Sequence, residues 1–507
     1  MRAWIALALC GCGRFGFDSL ATGDATAAPD APDVGFFLSP TGDDANAGTR
    51  AAPWLTFGHA LHALQPGGVL NLLPGDYDGM GPSGTLAFDC MADGIADGTQ
   101  VAPITVRADR ARTAHLYNVT SPLRVAYCQF WVFEQLWVEG IDDATDTVGS
   151  VASIYYSNDM VLRGLLAQKP NRYNNNNAIE IGHSTRVLVE DSEVYDFFRG
   201  GFTTFESHEV TMRRDYANGR GYPDIAGGYV STCAGGDDGF DSYYAFGGTF
   251  EDMIVEDVCD VGFAVITGMF ASGDTGHGDN HHFVDDIVLG PGADGFYIAS
   301  DCTSTAPCST PDRIASDNTI TNSSALQATR GFFVAGQRNA LDHVSALGGA
   351  ATSAIDLAVE QPADPSFQAS ATVIAALGDG TATGIVSTNQ TSWSVDHSNM
   401  IASGAAYNPN DSHVTNSASV NPMLGGCDVY IPATSPMATA GPSGTSIGAD
   451  IRTQSLNEAP TAMPFWNADG SWAACGAIVP GVNDEPTTSC IGVGARLHVG
   501  SGGCPVP

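Results

Sequence analysis

The sequence predicts an all-β solenoid in which short strands stack coil upon coil. The first observation is a repeated mark, a glycine followed by an aromatic residue or a close variant of that pair. The marks are Ala178-Ile179, Gly201-Phe202, Gly239-Phe240, Gly262-Phe263, Gly295-Phe296, Gly331-Phe332, Ala354-Ile355 and Gly384-Ile385. Three of the intervals are 23 residues and the others are longer, as insertions into a turn would make them. A repeat of this length is typical of coils that bury their apolar side only against neighbouring coils.

The second observation is that strand-like runs occupy matching places between the marks. Apolar residues alternate or cluster over four to six positions in each run, as they do in short strands. The clearest runs are 186–190, 209–212, 253–256 and 318–321. The segments between them are rich in Gly, Asp, Asn and Ser, which favour turns. The pattern therefore predicts strands and turns rather than helices along most of the chain.

The N-terminal part of the array has a recognisable beginning. Residues 36–77 predict an extended start at Phe36, a short helix over 57–64 and a strand over 69–73. Their SPTGDDANAGT and PGGVLNLLPGDY runs resemble the first coil of right-handed parallel β-helix proteins of the pectate-lyase-like superfamily. The resemblance implies a right-handed parallel β-helix over 34–450. It also implies a helix that caps the N-terminal end, whose unpaired strands would otherwise be exposed to aggregation.

The C-terminal part, from Cys475 to Cys504, resembles a C-terminal module of bacterial β-helix proteins. From that resemblance we expect a disulfide-tied cap over 451–507. Ten cysteines follow Cys12, and an even number in an exported chain suggests disulfides. Cys302 and Cys308 can close a small loop, but the sequence leaves the pairing open.

The first twelve residues resemble a bacterial lipoprotein signal. One arginine precedes an apolar stretch, Ala3 to Leu9, which is too short to span a bilayer. It leads into Leu9-Cys10-Gly11-Cys12, so Cys12 is the candidate lipidated residue, with Cys10 and an ordinary signal peptide as alternatives. Residues 13–33 are rich in Ala, Asp and Pro and predict a flexible tether. We therefore expect export and an outer-membrane lipoprotein of the bacterial envelope.

The charge of the chain limits its partners. The formal net charge is -36, and Lys169 is the only lysine among 20 basic residues. Phosphate-rich partners such as nucleic acid or an anionic membrane surface would be repelled, so we expect membrane contact only through the lipid anchor. A balance this acidic suits an exported monomer or a protein that binds calcium.

Aligning the coils on the glycine mark brings distant acidic residues together. Arg199, Asp237 and Asp260 fall in one column, and Asp238 and Asp241 fall beside it. Neighbouring coils are expected to lie roughly 4.8 Å apart, as neighbouring strands do. Carboxylates this close repel one another unless a cation or a shared proton relieves them. Calcium, which takes six to eight oxygen ligands, suits such a cluster.

The same segment carries a sharper resemblance. Gly236-Asp237-Asp238-Gly239-Phe240-Asp241 resembles the calcium-binding DDGxD motif of family nine pectate lyases. The resemblance implies that Asp237, Asp238 and Asp241 bind calcium, and the column adds Asp260 as a further metal candidate. It implies calcium-assisted β-elimination on an acidic polysaccharide.

The base of that reaction departs from the family pattern. Those lyases use a lysine in a later coil, and this chain has no lysine after Lys169. His277 stands at roughly the expected distance, and Arg199, Arg214 and Arg220 are candidates because other lyase families use arginine. Arginine is hard to deprotonate, whereas histidine titrates near neutral pH, which favours His277.

Two further functions remain open. The Asp237-Asp238 pair and Gly276-His277-Gly278 partly match inverting polygalacturonases, whose acid and base need room for a water between them. A non-catalytic, carbohydrate-binding or structural surface β-helix is the other alternative. Eight of the 20 basic residues lie between Arg163 and Arg220, just before the acidic segment. This distribution predicts a basic face beside the carboxylates, as polyuronate binding would need, or merely solvated turns.

Overall fold

The computed structural model describes most of the chain between residues 35 and 464. The described ranges are 35–146, 149–219, 225–228, 236–268, 278–290, 292, 294–301, 315–348, 353–358, 370–381, 383–388, 392–408, 413–424, 431–451, 453–456 and 459–464. Cys12, the tether over 13–33, the Cys302–Cys308 loop and the cysteines after residue 464 lie outside these ranges, so lipidation and the C-terminal cap stay predictions. In the described part, no helix is long and apolar enough to cross a membrane.

Three long parallel sheets extend from residue 36 to residue 415, and each full coil adds one strand to each sheet. The first sheet contains Phe36–Leu38, Val69–Leu72, Ile104–Ala108, Trp131–Glu134, Asn158–Arg163, Thr185–Glu190, Thr211–Arg213, Thr249–Glu251, His282–Val284, Thr319–Thr321, Asn339–Asp342, Ser370–Ile374, Ser392–Asp396 and Val414–Thr415. The second contains Gly75–Asp78, Ala114–Tyr117, Trp137–Glu139, Leu166–Gln168, Glu193–Tyr195, Tyr216–Asn218, Ile254–Glu256, Ile287–Leu289, Ser324–Leu326, Ser345–Leu347, Leu377–Thr381 and Asn399–Ala402. The third contains Leu86–Asp89, Leu123–Ala126, Ala152–Tyr155, Ile179–Gly182, Gly200–Phe205, Asp238–Tyr243, Val261–Gly268, Asp294–Asp301, Arg330–Ala335, Ser353–Ala358, Thr383–Thr388 and Tyr407–Asn408.

The chain passes from the first sheet to the second, then to the third, and begins again one coil further on. Crossovers between parallel strands are right-handed in almost all proteins. The fold is therefore a right-handed parallel β-helix, as the sequence predicts. The predicted strands are also present, each within two residues of its expected bounds.

The repeated marks identify one inward position of the third sheet. Their apolar residues pair in register from coil to coil, in the order Ile179, Phe202, Phe240, Phe263, Phe296, Phe332, Ile355 and Ile385. All are buried. The ring centroid of Phe296 lies 4.9 Å from that of Phe263 and 5.0 Å from that of Phe332, and the ring planes are nearly parallel. The repeated mark in the sequence thus corresponds to a continuous stack of apolar side chains through the core.

The N-terminal end is closed by a helix, as predicted. The helix spans Phe57–Ala63, and the Thr56 side chain caps it by accepting the backbone N–H of His59 at 3.2 Å. Phe57, Ala60 and Leu61 are buried against the first coils. A second short helix, Cys90–Asp93, begins at a cysteine that forms a disulfide with Cys128 one coil later.

The C-terminal end of the described chain differs from the predicted boundary. The last strand paired in a solenoid sheet is Val414–Thr415, and a 3-10 turn at Pro442–Gly444 and an antiparallel pair, Thr453–Leu456 with Ala459–Pro464, follow. Residues 431–451 run back over the outer face of the second sheet. Their apolar side chains pack on Tyr216, Ile254, Ile287, Leu326, Leu347 and Leu377. This segment therefore covers outward-facing apolar side chains of the second sheet.

Candidate functional site

The predicted acidic cluster lies where the third sheet begins in successive coils. The backbone N–H of Asp238 donates to the carbonyl of Arg199 at 3.0 Å, and that of Asp260 donates to the carbonyl of Asp237 at 2.9 Å. Asp238 pairs with Gly200, one residue after Arg199. Arg199, Asp237 and Asp260 therefore share one position of three successive coils, as the alignment predicts.

Asp241 joins the cluster from the same strand, Asp238–Tyr243. It pairs with Thr203 in the preceding coil, between the inward positions occupied by Phe240 and Ser242. Side chains alternate along a strand, so Asp241 and Thr203 lie on the outer face of the third sheet. They are nevertheless covered, with exposures of 1% for Asp241 and 4% for Thr203.

Gly200 leaves space at the centre of this cluster. A Cβ atom added to it would lie 2.5 Å from Asn177 Oδ1, 2.6 Å from Thr203 Oγ1 and 3.1 Å from Asp241 Oδ2. Three oxygen atoms thus converge on a place where any other residue would put a carbon. The sequence offers this position only as the first half of a Gly-Gly pair, and it gives no sign of the converging oxygens.

Arg199 is the cation of the cluster. Its guanidinium donates to Asp238 Oδ2, to Asp237 Oδ2 at 3.3 Å and to the Tyr243 hydroxyl at 2.7 Å. Burial would lower the pKa of Arg199, but the charges of Asp241 and Asp238 outweigh burial and raise it above its ordinary value. The side chain therefore stays charged, which suits it to hold carboxylates and not to abstract a proton.

Asp238 and Asp241 hold their protons unusually tightly. Burial raises the pKa of Asp238 to about 6, with Arg199 opposing the shift and Asp260 and Asp237 adding to it. Burial and the charge of Asp238 raise the pKa of Asp241 well above its usual range. Two carboxyl groups in contact cannot both ionise freely, so the pair shares a proton unless a cation replaces it.

Several oxygens of the cluster have no hydrogen-bond partner. They are both carboxylate oxygens of Asp241, Oδ1 of Asp238 and the hydroxyl of Thr203, all buried. Buried polar atoms in folded proteins almost always have a partner, so four orphaned oxygens in one place call for a ligand or a shared proton. They are the hard oxygen donors that calcium prefers.

The structure does not bring Arg214 to this cluster. Arg214 lies at the turn between the first and second sheets, and its guanidinium binds Asp191 at 2.7 Å and Glu190 at 3.0 Å. Burial would lower its pKa, but the ion pair with Asp191 and the charge of Glu190 raise it. Both its place and its charge therefore argue against Arg214 as the base. Arg220 and His277 lie outside the described residues.

The predicted basic face is also absent from the described part of the chain. All seven described basic residues between 163 and 214 form ion pairs with carboxylates of their own or neighbouring coils. The pairs are Arg163–Glu190, Lys169–Glu139, Arg172–Asp142, Arg186–Asp159, Arg199–Asp238, Arg213–Glu190 and Arg214–Asp191. Their charges are paired with carboxylates of the solenoid itself. The concentration of basic residues in this part of the sequence therefore reflects ion pairs between coils.

Sequence reasoning missed the residues that precede the cluster on the same face. Glu180 lies two coils before Asp241 at the same register position, since it pairs with Thr203 and Thr203 pairs with Asp241. Its carboxylate accepts hydrogen bonds from Tyr155, Ser150 and Asn177. Continuing the register N-terminally from the first mark would have located Glu180. Its contacts with a tyrosine and a serine from other coils leave no trace in the sequence.

Comparisons with known proteins agree with the fold. No protein-family model matches the chain, and no curated protein matches it. Among solved structures, the complex of XylC with xylose is similar with a TM-score of 0.53 and 8% identity, over 77% of this chain and 87% of that one. A rhamnogalacturonan lyase gives 0.44 and 15% over 75% and 87%, and pectate lyase Pel9A gives 0.39 and 15% over 82% and 95%. The similarity to XylC, at 8% identity, shows a shared fold alone and leaves the reaction open.

Proposed function

We propose that this chain is a carbohydrate-active β-helix protein that cleaves an acidic polysaccharide by calcium-assisted β-elimination. The observation that carries the proposal is the set of buried, unpartnered oxygens of Asp238, Asp241 and Thr203. Apart from a proton that Asp238 and Asp241 can share, the polypeptide does not satisfy these oxygens, although the surrounding residues hold them close together. A site of this kind is expected to take a cation, a proton or a substrate group.

The donor set fits calcium. Asp238 and Asp241 would hold the ion, the Thr203 hydroxyl would add a further oxygen ligand, and Asp237 and Asp260 would add negative charge nearby. Water and substrate oxygens would supply the rest of the six to eight ligands that calcium takes. Arg199 supplies only one positive charge against these four acids, so the cluster keeps an excess of negative charge when ionised. Bound calcium would neutralise a substrate carboxylate and thereby acidify the proton on the adjacent carbon.

The structure reduces the number of candidate bases for the elimination from four to two. Arg199 is held by two carboxylates and a tyrosine, and Arg214 lies at another corner of the coil. Of the remaining candidates, His277 and Arg220, a histidine is neutral at about neutral pH and an arginine is not. We therefore propose that His277 removes the proton next to the uronate carboxylate. The electron pair forms a carbon–carbon double bond, the bond from the β carbon to the glycosidic oxygen breaks, and the departing oxygen takes up a proton from water, which leaves an unsaturated sugar end and a new reducing end.

One observation favours a second function, an inverting hydrolase of the polygalacturonase type. A carboxyl group with the raised pKa of Asp238 can stay protonated and donate to a leaving group, as a general acid does. A neighbouring ionised carboxylate could then activate a water, provided that the two groups are far enough apart to admit it. In this structure Asp238 and Asp241 are in contact, which ranks the hydrolase below the lyase.

One experiment separates these functions. Purified protein is incubated with polygalacturonate, alginate and chondroitin sulfate, with and without calcium, and both unsaturated ends and reducing ends are measured. A lyase produces both in a calcium-dependent manner, whereas a hydrolase produces reducing ends only. Polymer binding without either product would support the non-catalytic alternative and would refute the proposal.

Matched variants locate the activity. Asp241→Asn keeps the volume of the side chain but removes the charge, and we expect it to abolish product formation. Asp286→Asn is the control, since Asp286 is also fully buried with a raised pKa but lies at the corner between the first and second sheets. Equal activity of the two variants would contradict the placement of the site.

A further inference from the structure

The outer face of the third sheet continues from the carboxylate cluster toward the N-terminal end. One register position carries Arg124, Ser153, Glu180, Thr203 and Asp241 in five successive coils. Four strand spacings of roughly 4.8 Å separate Arg124 from Asp241 along the solenoid axis, or about 19 Å. A single row of polar side chains thus leads from an arginine to the candidate site.

Arg124 is available to a ligand. Its side chain is exposed, and no described residue forms an ion pair or a hydrogen bond with it. The other described arginines of this face are each held by two acids. Arg199 is held by Asp237 and Asp238, and Arg330 by Asp294 and Asp356. A free guanidinium on a chain with a formal net charge of -36 is a local attraction for anions.

One edge of this face is formed by a column of rings. Tyr127, Tyr156 and His183 stack with centroids 4.9 and 4.6 Å apart and planes within 5° of parallel. The two tyrosines are 41% and 46% exposed. Both faces of the Tyr156 ring are covered by its neighbours, so Tyr156 presents its edge and its hydroxyl to solvent. In the described structure neither tyrosine hydroxyl has a hydrogen-bond partner.

The opposite edge is formed by two insertions of the chain. Residues 140–146 precede the strand Ala152–Tyr155, and residues 169–177 precede the strand Ile179–Gly182. An ion pair between Arg172 and Asp142 and a 2.9 Å hydrogen bond from Asn171 Nδ2 to the Asp143 carbonyl hold the two insertions together. The row from Arg124 to Glu180 therefore runs between two ordered edges, and we call the strip between them the groove.

We propose that this groove binds remote sugar units of an acidic polysaccharide whose scissile bond lies at the Asp238–Asp241 cluster. Arg124 would bind a uronate carboxylate with two parallel N–H bonds, and the hydroxyls of Tyr127 and Tyr156 would bind sugar hydroxyls. The class of ligand rests on the proposed function. Because about 19 Å separates the two ends of the row, only a chain of several sugar units reaches both. The groove thus selects polymers over short oligomers.

The test compares Arg124→Gln and Arg124→Lys with wild type for binding to polygalacturonate and to alginate. Affinity electrophoresis measures the polymers, and calorimetry measures a disaccharide of each. We expect Arg124→Gln to weaken polymer binding about three- to tenfold and to leave disaccharide binding unchanged. Arg124→Lys should restore part of the loss, because lysine keeps the charge but not the two-pronged geometry.

Arg338→Gln is the matched control. Arg338 is likewise exposed, but it lies just before a strand of the first sheet and pairs with Asp317. Its loss should not change polymer binding. Thermal melting of each variant checks that the solenoid is intact.

The inference and the proposed function fail separately. Wild-type affinity of Arg124→Gln for both polymers, or no polymer binding by the wild type, would overturn the inference. Formation of unsaturated ends is measured independently, so a lyase with an unaffected Arg124→Gln variant would keep the proposed function alone. Loss of binding in that variant without any turnover by the wild type would support the groove as a binding site and refute the lyase.

Discussion

Calcium binding at the candidate site should release a proton from the Asp238–Asp241 pair. In the calcium-free protein, burial raises the pKa of both carboxyl groups, so we expect the pair to share a proton at about neutral pH. Calcium requires ionised carboxylates, and it must therefore displace that proton. The perturbation is a calcium titration of the wild type and of Asp241→Asn over a range of pH.

The size of the pH effect on calcium affinity follows from competition between calcium and protons for the same carboxylates. A carboxyl with a raised pKa keeps its proton below that pKa, so proton competition weakens calcium binding on the acidic side and disappears as pH rises above it. Each displaced proton changes the apparent affinity about tenfold per pH unit, or about 1.4 kcal/mol. Since the pKa of Asp241 lies well above its usual range, we expect this slope to continue above pH 6. Below about pH 6 a second proton, that of Asp238, should steepen it.

Isothermal titration calorimetry in two buffers of different ionisation enthalpy counts the protons directly. We expect about one proton per calcium near neutral pH, no measurable binding by Asp241→Asn, and wild-type behaviour in Asp286→Asn. An affinity that does not depend on pH, with no proton released, would refute the shared-proton reasoning. Unchanged binding by Asp241→Asn would show that the ion is held elsewhere.

Two further predictions concern stability. Arg199→Gln leaves Asp237 and Asp238 buried without their cation, and we expect it to lower the free energy of unfolding by about 3 kcal/mol or more at pH 8. The loss should be smaller at about pH 5, where Asp238, whose pKa is raised to about 6 by burial, takes up a proton; thermal melting at both values checks this, and equal losses would contradict it. Phe296→Ala opens the core stack between its two phenylalanine neighbours and should cost about 3–5 kcal/mol in denaturant unfolding, whereas a cost below 1 kcal/mol would mean that the stack relaxes around the gap.

The sequence revealed the coil register because the fold reuses one inward position. Phe240 and its partners in neighbouring coils all fill the same place in the core, so their spacing records the length of each coil. A slip of one residue would turn the core side chains outward, and the register is therefore strongly fixed. With it fixed, residues at equal distances from the mark must be neighbours, which is why Arg199, Asp237 and Asp260 could be placed together.

Three features of the structure could not be predicted from the spacing of the marks: the position of Arg214, the coil of Arg124 and the oxygens around Gly200. The position of Arg214 depends on the lengths of the strands and turns within its coil, which the mark on the third sheet does not report. In the coil that contains Arg124, the place of the glycine-aromatic mark is taken by Pro122-Leu123. The inward position requires only an apolar side chain, so the repeated pair cannot be recognised there. The orphaned oxygens around Gly200 depend on side-chain directions in three coils. Spacing alone cannot supply these facts.

Two ionic clusters on the third sheet show why only one of them is a candidate site. Parallel, in-register coils bring like residues within roughly 4.8 Å, so acids in successive coils repel unless something separates them. Further along the face, Arg330 stands between two acids and donates to both oxygens of Asp294 and to one of Asp356. In that cluster one arginine offsets one of two acids, and a single carboxylate oxygen, Asp356 Oδ1, has no hydrogen-bond partner. Around Asp241, one arginine serves several acids and both carboxylate oxygens stay unpartnered, so this cluster needs a proton or a cation from outside the polypeptide.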